Sequence, residues 1–354
     1  MSDPSGTAPA AAPTHTIHPI PSGTRDVLPD EMRELRAITA TALQVFTERG
    51  YGEVATPALE YEATLARGDV GGAPPAYRLF DEHGNVLVLR SDMTVPIARL
   101  VATRFADAEP PLRLCYLAHA YRGVRPQRGQ PREFLQAGIE LIGAPAPEGT
   151  AEALTLLCDV LDAVGLGDYR IGFGDVGLYQ ALLRVLDVPE PARERILQEL
   201  VARDFVGLER EARALERVER TAELLMRVPQ MRGGPEILDE LDALTQEGLV
   251  GEAARSATRQ PTEAMRAVHR LLAPRVAERL IFDLGLVRSL GYYTGAVFQV
   301  YDPALGVPIG GGGRYDDLLG RFGRPLPAVG FALNAERLHI ALAGEERGER
   351  GGAS

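Results

Sequence analysis

Two neighbouring stretches constrain this chain most. LRLCYLAHAYR (residues 112–122) and REFLQAGIELIG (132–143) both alternate like strands, and only GVRPQRGQP joins them. A link that short has no room for the crossover that parallel neighbours need, so the two strands run antiparallel. That points to an α+β fold and away from a doubly wound parallel sheet.

The flanking segments extend the pattern. Pro29 and Asp30 open a helix with acid in its first turn, Gly50 closes it, and Leu35, Ile38, Ala42, Val45 and Phe46 give it one apolar stripe. EVATPALEY reads as a strand that Pro57 confines to an edge or breaks. NVLVLRSDMTVPIARLVATRF is a strand and then a helix starting near Ser91–Asp92. GTAEALTLLCDVLDAVGL is a helix for which Thr150 suits the N-cap. Strand signals return in DYRIGF, ERLIFD, GAVFQVYD, VPIGGGGRYDD and PAVGFALN. Residues 188–260 show helical spacing, are rich in Arg, Glu, Leu and Ala, and carry no strand signal. The expected organisation is a disordered tail at 1–22, a core at 23–187 and 261–343, a helical insertion at 188–260, and a second tail at 344–354.

The totals exclude several classes of function. The net charge is −11, and all 38 basic residues are arginine. Without lysine there is no Schiff-base chemistry and no phosphate-cradling lysine loop. The excess of acid argues against a broad nucleic-acid surface but leaves room for a local arginine patch. Cys115 and Cys158 sit far apart in apolar runs and read as buried free thiols of a reducing cytoplasm. The scattered histidines offer no metal-ligand spacing, and no apolar run is long enough to span a membrane.

Four stretches carry candidate site residues. LRSDMT supplies Asp92 and Thr94, and YRGVRPQRGQPREFLQAGIE supplies Arg122, Gln136 and Glu140. VRSLGYYTG supplies Arg288, Tyr292 and Tyr293. GGGRYDD with AVGFALNAERL supplies a glycine-lined floor and Arg337. On a strand, Gln136, Gly138 and Glu140 share one face. A carboxylate and an amide there bind an ammonium group or an imidazole, and arginines opposite grip a carboxylate or phosphate. Taken singly, each charged residue reads equally as a solvated surface group. The glycine run reads equally as a hairpin turn, and the tyrosine pair as core.

These motifs, in this order, resemble class II aminoacyl-tRNA synthetases, and specifically the catalytic core of histidyl-tRNA synthetase, from GTRDVLPDE (23–31) to GFALNAERL (330–338). The resemblance implies an antiparallel sheet flanked by helices, usually dimeric, whose face binds histidine and ATP. Asp92, Thr94, Gln136, Glu140, Tyr292 and Tyr293 would line the amino-acid pocket. Asp92 and Glu140 would take the cation, Arg288 the carboxylate, and Gln136 with Tyr293 the ring. Arg122 and Arg337 would be vestigial nucleotide-facing or phosphate-facing groups.

The departures fall on the nucleotide side. Val124 stands where the family carries a glutamate, Gln130 where it has a base, Gly291 where it has an acid, and Asn334 where it has a glycine. About 16 residues follow Leu338, fewer than a tRNA-reading domain of roughly 50 or more would need. The pattern is most similar to the regulatory subunits of ATP phosphoribosyltransferase. That resemblance implies no catalysis, no cofactor, no metal and no functional tRNA binding. It implies a self-dimer that joins a short-form catalytic subunit and takes L-histidine as effector. Two alternatives remain: a histidyl-tRNA synthetase with its anticodon domain on another chain, and a class II-like amino-acid amide ligase.

Overall fold

The computed structural model describes residues 19–68, 76–123, 131–215, 219–245, 248–287 and 291–352. Before the first antiparallel pair come α1 (Pro29–Glu48), β1 (Gly52–Glu53), β2 (Leu59–Tyr61), α2 (Glu62–Leu65), β3 (Arg78–Phe80), β4 (Val86–Leu89) and α3 (Thr94–Arg104). The pair itself is β5 (Leu112–Tyr121) and β6 (Glu133–Ile142), followed by α4 (Glu148–Ala163), β7 (Arg170–Asp175) and α5 (Val176–Val185). The helical segment comprises α6 (Glu190–Ala202), α7 (Phe205–Arg213), α8 (Glu219–Arg227), β8 (Arg232–Gly233), α9 (Ile237–Leu244) and α10 (Gly248–Leu271). The chain then returns through α11 (Pro274–Ala277), β9 (Leu280–Asp283), β10 (Ala296–Tyr301), β11 (Gly310–Arg314), β12 (Ala328–Asn334) and α12 (Ala335–Gly352).

Among the described residues nine strands form one sheet in the order β1-β5-β6-β12-β11-β10-β7-β9-β8. Only β1–β5 and β7–β9 pair in parallel; the other neighbours are antiparallel, as the α+β reading expects. The sheet has two unlike faces. Cys115, Ala137, Ile139, Leu141, Phe331, Leu333, Phe298 and Phe173 join α1 and α4 in one apolar core, where the Phe46 and Phe331 rings meet at 5.9 Å. Burying each such side chain contributes about 1.5–3 kcal/mol.

The other face carries a second, smaller cluster that includes Leu114, Tyr116, Tyr292 and Tyr315, and small residues line its middle. In register across five strands stand Tyr116, Gly138, Ala332, Gly311 and Gln299; the next row is Leu114, Glu140, Gly330, Gly313 and Val297. Small residues in the middle of both rows leave a trough. The glycine run is therefore a central strand and not a hairpin turn. A Cβ on Gly312 would lie 2.0 Å from the Gly330 carbonyl oxygen, and one on Gly310 2.3 Å from that of Ala332. Such close backbone approach admits only glycine.

Several boundaries differ from the sequence expectation. EVATPALEY splits into β1 of the large sheet and β2 of a small sheet, β2-β4-β3, with the break at Thr56–Pro57. Pro147 sets the start of α4, so Thr150 lies inside the helix and accepts a bond from Arg314 Nε at 3.2 Å. The helical segment includes β8, which pairs with β9, and α10 runs past residue 260 to Leu271. Ile196, Leu200, Leu225, Leu238 and Leu241 of that segment belong to the same core as the sheet.

The segment expected as a tail from 344 continues α12 to Gly352, because its Glu and Arg residues are good helix formers. Glu345 there accepts the Gly167 and Asp168 amides. Of the first tail, residues 1–18 lie outside the described residues; Pro21–Thr24 makes a turn.

Gly312→Ala should lower stability by about 3 kcal/mol, since the obstructing Gly330 carbonyl and Phe331 Cα are backbone of the neighbouring strand β12. Gly306→Ala, with open space around it, should stay within about 0.5 kcal/mol of wild type. Urea-denaturation midpoints of the two variants check the contrast.

Candidate functional site

Glu140 is the centre of the trough and is only 2% exposed. Its place on β6 opposite Gly330 explains how a carboxylate fits there: a Cβ on Gly330 would lie 1.9 Å from Glu140 Oε2. Thr94 Oγ1, at the start of α3, donates to Oε1 at 2.8 Å, and the Tyr315 hydroxyl donates to Oε2. Tyr116 stands beside them in register with Gly138, where a Cβ would meet its hydroxyl at 2.5 Å.

Asp92 completes the acidic end. Its Oδ1 accepts the Val95 amide at 3.2 Å, which fixes the turn into α3. Burial raises the Asp92 pKa, while the Val95 bond and the Arg122 charge pull it down. Tyr292 is buried, with its ring 4.9 Å from Tyr293 and 5.8 Å from Tyr315. Tyr293 lies over Gly313, where a Cβ would be 2.8 Å from its ring. The tyrosine pair is thus both core and pocket wall. Gln136 is buried with its Oε1 unpartnered among the described residues, in register with Asn334. That leaves a buried acceptor for a ligand N–H.

The structure therefore gathers Asp92, Thr94, Gln136, Glu140, Tyr292 and Tyr293 on one face. Arg122 stacks over Phe134 at 4.8 Å, near enough for its charge to act on Asp92. Arg337 Nη1 donates to the Pro308 carbonyl at 2.7 Å, so backbone engages part of that guanidinium. Asn334 caps α12 by accepting the Arg337 amide at 2.8 Å. Arg288, Val124 and Gln130 lie outside the described residues. Sequence reasoning missed Tyr315 and Tyr116. The available signals were Tyr315's place two residues after Gly313 and Tyr116's place on the alternating face with Leu114 and Ala118.

Burial pushes the Glu140 carboxyl from 4.5 up to about 8, with the Asp92 charge adding to it; the Tyr315 and Thr94 bonds act in the opposite direction. A carboxyl raised in the native state holds a proton that the unfolded chain has already released. Between the two pKa values, unfolding releases this proton, so the group's contribution to stability falls as pH rises through that window. Glu140→Gln removes this dependence. Urea denaturation should show the two proteins converging toward pH 5. By pH 8 the variant should be favoured by on the order of a few kcal/mol. A difference that does not vary with pH would contradict the assignment.

Comparison with known proteins follows the same lines. The histidyl-tRNA synthetase family model matches residues 23–338. The ATP phosphoribosyltransferase regulatory subunit of Desulforamulus reducens is 41% identical over 325 residues, covering 90% of this chain and 78% of that one. The one from Moorella thermoacetica is 42% identical over 339 residues, covering 95% and 83%. Among solved structures, an ATP phosphoribosyltransferase regulatory subunit/histidyl-tRNA synthetase from Bacillus halodurans C superposes with a TM-score of 0.84 at 32% identity, covering 93% of this chain and 84% of that one. A histidine–tRNA ligase subunit from Alicyclobacillus acidocaldarius gives 0.81 at 30%, covering 94% and 99%. The chain belongs to the histidyl-tRNA synthetase family and, within it, to the ATP phosphoribosyltransferase regulatory subunits.

Proposed function

We propose that this chain is the non-catalytic regulatory subunit of ATP phosphoribosyltransferase, acting at the first step of histidine biosynthesis and conferring feedback inhibition by L-histidine on a short catalytic chain. The observation that carries this reading is the buried Glu140 carboxyl, held by Thr94 and Tyr315, in a chain with this kinship. Histidine brings a cation to Glu140 and Asp92 and a ring to Gln136 and Tyr293; Arg288 takes its carboxylate. Absence of catalysis is supported on the nucleotide side by Arg337, which is turned to a backbone carbonyl, and by Asn334 serving as a helix cap. A cytoplasmic location fits two buried free thiols.

Among the described residues no helix is long and apolar enough to cross a membrane. The synthetase kinship keeps one rival in view, a synthetase subunit that activates histidine itself.

Feedback requires that histidine bind one state of the complex better than another. Above pH 8, where Glu140 is ionised, Glu140→Gln keeps the shape and removes the charge. Losing a charge-assisted bond of about 1.5–3 kcal/mol should weaken histidine binding roughly tenfold to a hundredfold. Inhibition curves of the reconstituted complex should move to higher histidine by that factor, with phosphoribosyltransferase activity retained. Superimposable curves would remove this pocket as the sensor, and robust histidine-dependent ATP–pyrophosphate exchange by the isolated chain would favour the rival.

A self-dimer is part of the same reading. Leu59, Tyr61 and Leu79 lie on one face of the small sheet and are 43%, 52% and 42% exposed. A contiguous apolar face of that kind suits a second copy, and two-fold pairing is the commonest assembly. Light scattering at micromolar concentration should give twice the chain mass, and Tyr61→Arg should shift it toward the monomer.

A further inference from the structure

Three segments from distant parts of the sequence meet next to the turn into α3. Residues 56–58 carry the Pro57 break, residues 90–94 lead into α3 with Asp92 and Thr94, and residues 119–122 end β5 with Arg122. All three converge on one residue, Arg90, which is 6% exposed. Its Nε donates to the His119 carbonyl at 2.8 Å. Its Nη1 donates to the Thr56 carbonyl at 2.6 Å and the Pro57 carbonyl at 3.1 Å. The backbone closes the knot: Arg90 N–H donates to Ala58 O at 3.0 Å, and Tyr121 N–H to Arg90 O at 2.9 Å.

This arrangement has a cost and a purpose. Burial lowers the Arg90 pKa, with Tyr121, Glu60 and Tyr116 acting the other way. The cation is held by carbonyl dipoles, which a planar fork reaches in two directions at once. A lysine ammonium is a single point and does not span both segments. Two residues beyond this fork stands Asp92, four beyond stands Thr94, whose hydroxyl bonds Glu140, and beside Tyr121 stands Arg122.

We propose that Arg90 is the positioning residue of the ligand pocket: without touching the ligand, its guanidinium locks the Pro57 break, the Asp92–Thr94 turn and the Arg122 end of β5 into one frame. Its loss frees the turn, lengthens the Thr94–Glu140 bond and separates Asp92 from Arg122. A pocket that is no longer preorganised binds more weakly although every contacting side chain is still present.

The groups facing Glu140 are Thr94 and Asp92 from the α3 turn, Tyr315 after β11, Tyr116 on β5, and Tyr292 ahead of β10. Of these, only the α3 turn follows directly on Arg90 in the chain. Weakening the Thr94 bond raises the Glu140 pKa, so binding that needs the carboxylate shifts to higher pH.

The test uses the full chain with Arg90→Met and Arg90→Lys. Calorimetric titration with L-histidine from pH 6 to 9 should show, for both variants, affinity lower by about tenfold at neutral pH and a binding midpoint moved upward. Hydrogen exchange of the ligand-free proteins should quicken in 56–58, 90–95 and 119–122 and leave β10 unchanged. A merely structural role would lower the melting temperature and leave the affinity and pH midpoint of the folded fraction at wild-type values; that result overturns the proposal, as does full rescue by lysine. If Arg90→Met does not fold, Arg90→Lys, which keeps the charge, decides the matter. The proposal rests on the ligand reading, and the two fail separately. Wild-type protein that binds no histidine sinks that reading, whereas unchanged exchange in the three segments sinks the role of Arg90.

Discussion

A carboxyl group kept almost dry in the middle of a sheet is the constraint around which the rest is arranged. Burying a polar group without partners costs several kcal/mol. Glu140 meets that cost with two hydroxyl donors, Thr94 and Tyr315, brought from opposite sides. The donors reach it only because Gly330 clears the space beside Oε2. Gly313 does the same for Tyr293, and Gly138 for Tyr116. The glycines are thus the negative image of three side chains. Their conformational cost is offset by the core packed on the reverse of the same strands, where Phe331 alternates with Gly330 and Ala332.

What the sequence makes legible follows from period and spacing. The antiparallel β5–β6 pair, the amphipathic α1 and the shared face of Gln136 and Glu140 need only alternation or helical repeat, and the structure reproduces all three. The glycine run was ambiguous because glycine serves turns and crowded strands alike; the Gly330 carbonyl, invisible to local reading, decides it. Tyr315 escaped notice because its role depends on where β11 ends relative to β6, two strands away in the sheet. The direction of Arg337 is not legible in the sequence, because a motif specifies a position and not where a long side chain turns, and the Pro308 carbonyl engages its guanidinium. The end of α12 was misread because a Glu/Arg-rich segment suits a solvated tail and a surface helix equally.

Kinship with an enzyme makes the division of the trough informative. Around Glu140 the site holds carboxyl groups, hydroxyls and tyrosine walls, whereas the Arg337 guanidinium on α12 is bonded to backbone. Fold alone does not decide function, but which half of an ancestral site stays chemically complete bears on it.

The helical segment is fastened to the sheet at the end of β9. Asp283, at the end of β9, accepts Arg203 Nη2 at 3.0 Å from the link between α6 and α7, and pairs with Arg232 Nε of β8 at 3.2 Å. The Leu284 amide donates to Met231, and a Cβ on Gly285 would fall 2.1 Å from the Pro229 carbonyl oxygen. Leu286, folded back onto Asp283, packs with Val176 and Val297 in a small cluster against which Tyr293 rests. Asp283, clamped to the insertion, and Tyr293, over Gly313, are ten residues apart in the chain, and residues 288–290 between them lie outside the described residues. Contact of this kind becomes coupling when a ligand has unequal affinity for two arrangements of the segment. The buried clamp makes intermediate positions expensive, because half-withdrawn arginines leave the Asp283 carboxylate unpaired in a buried site.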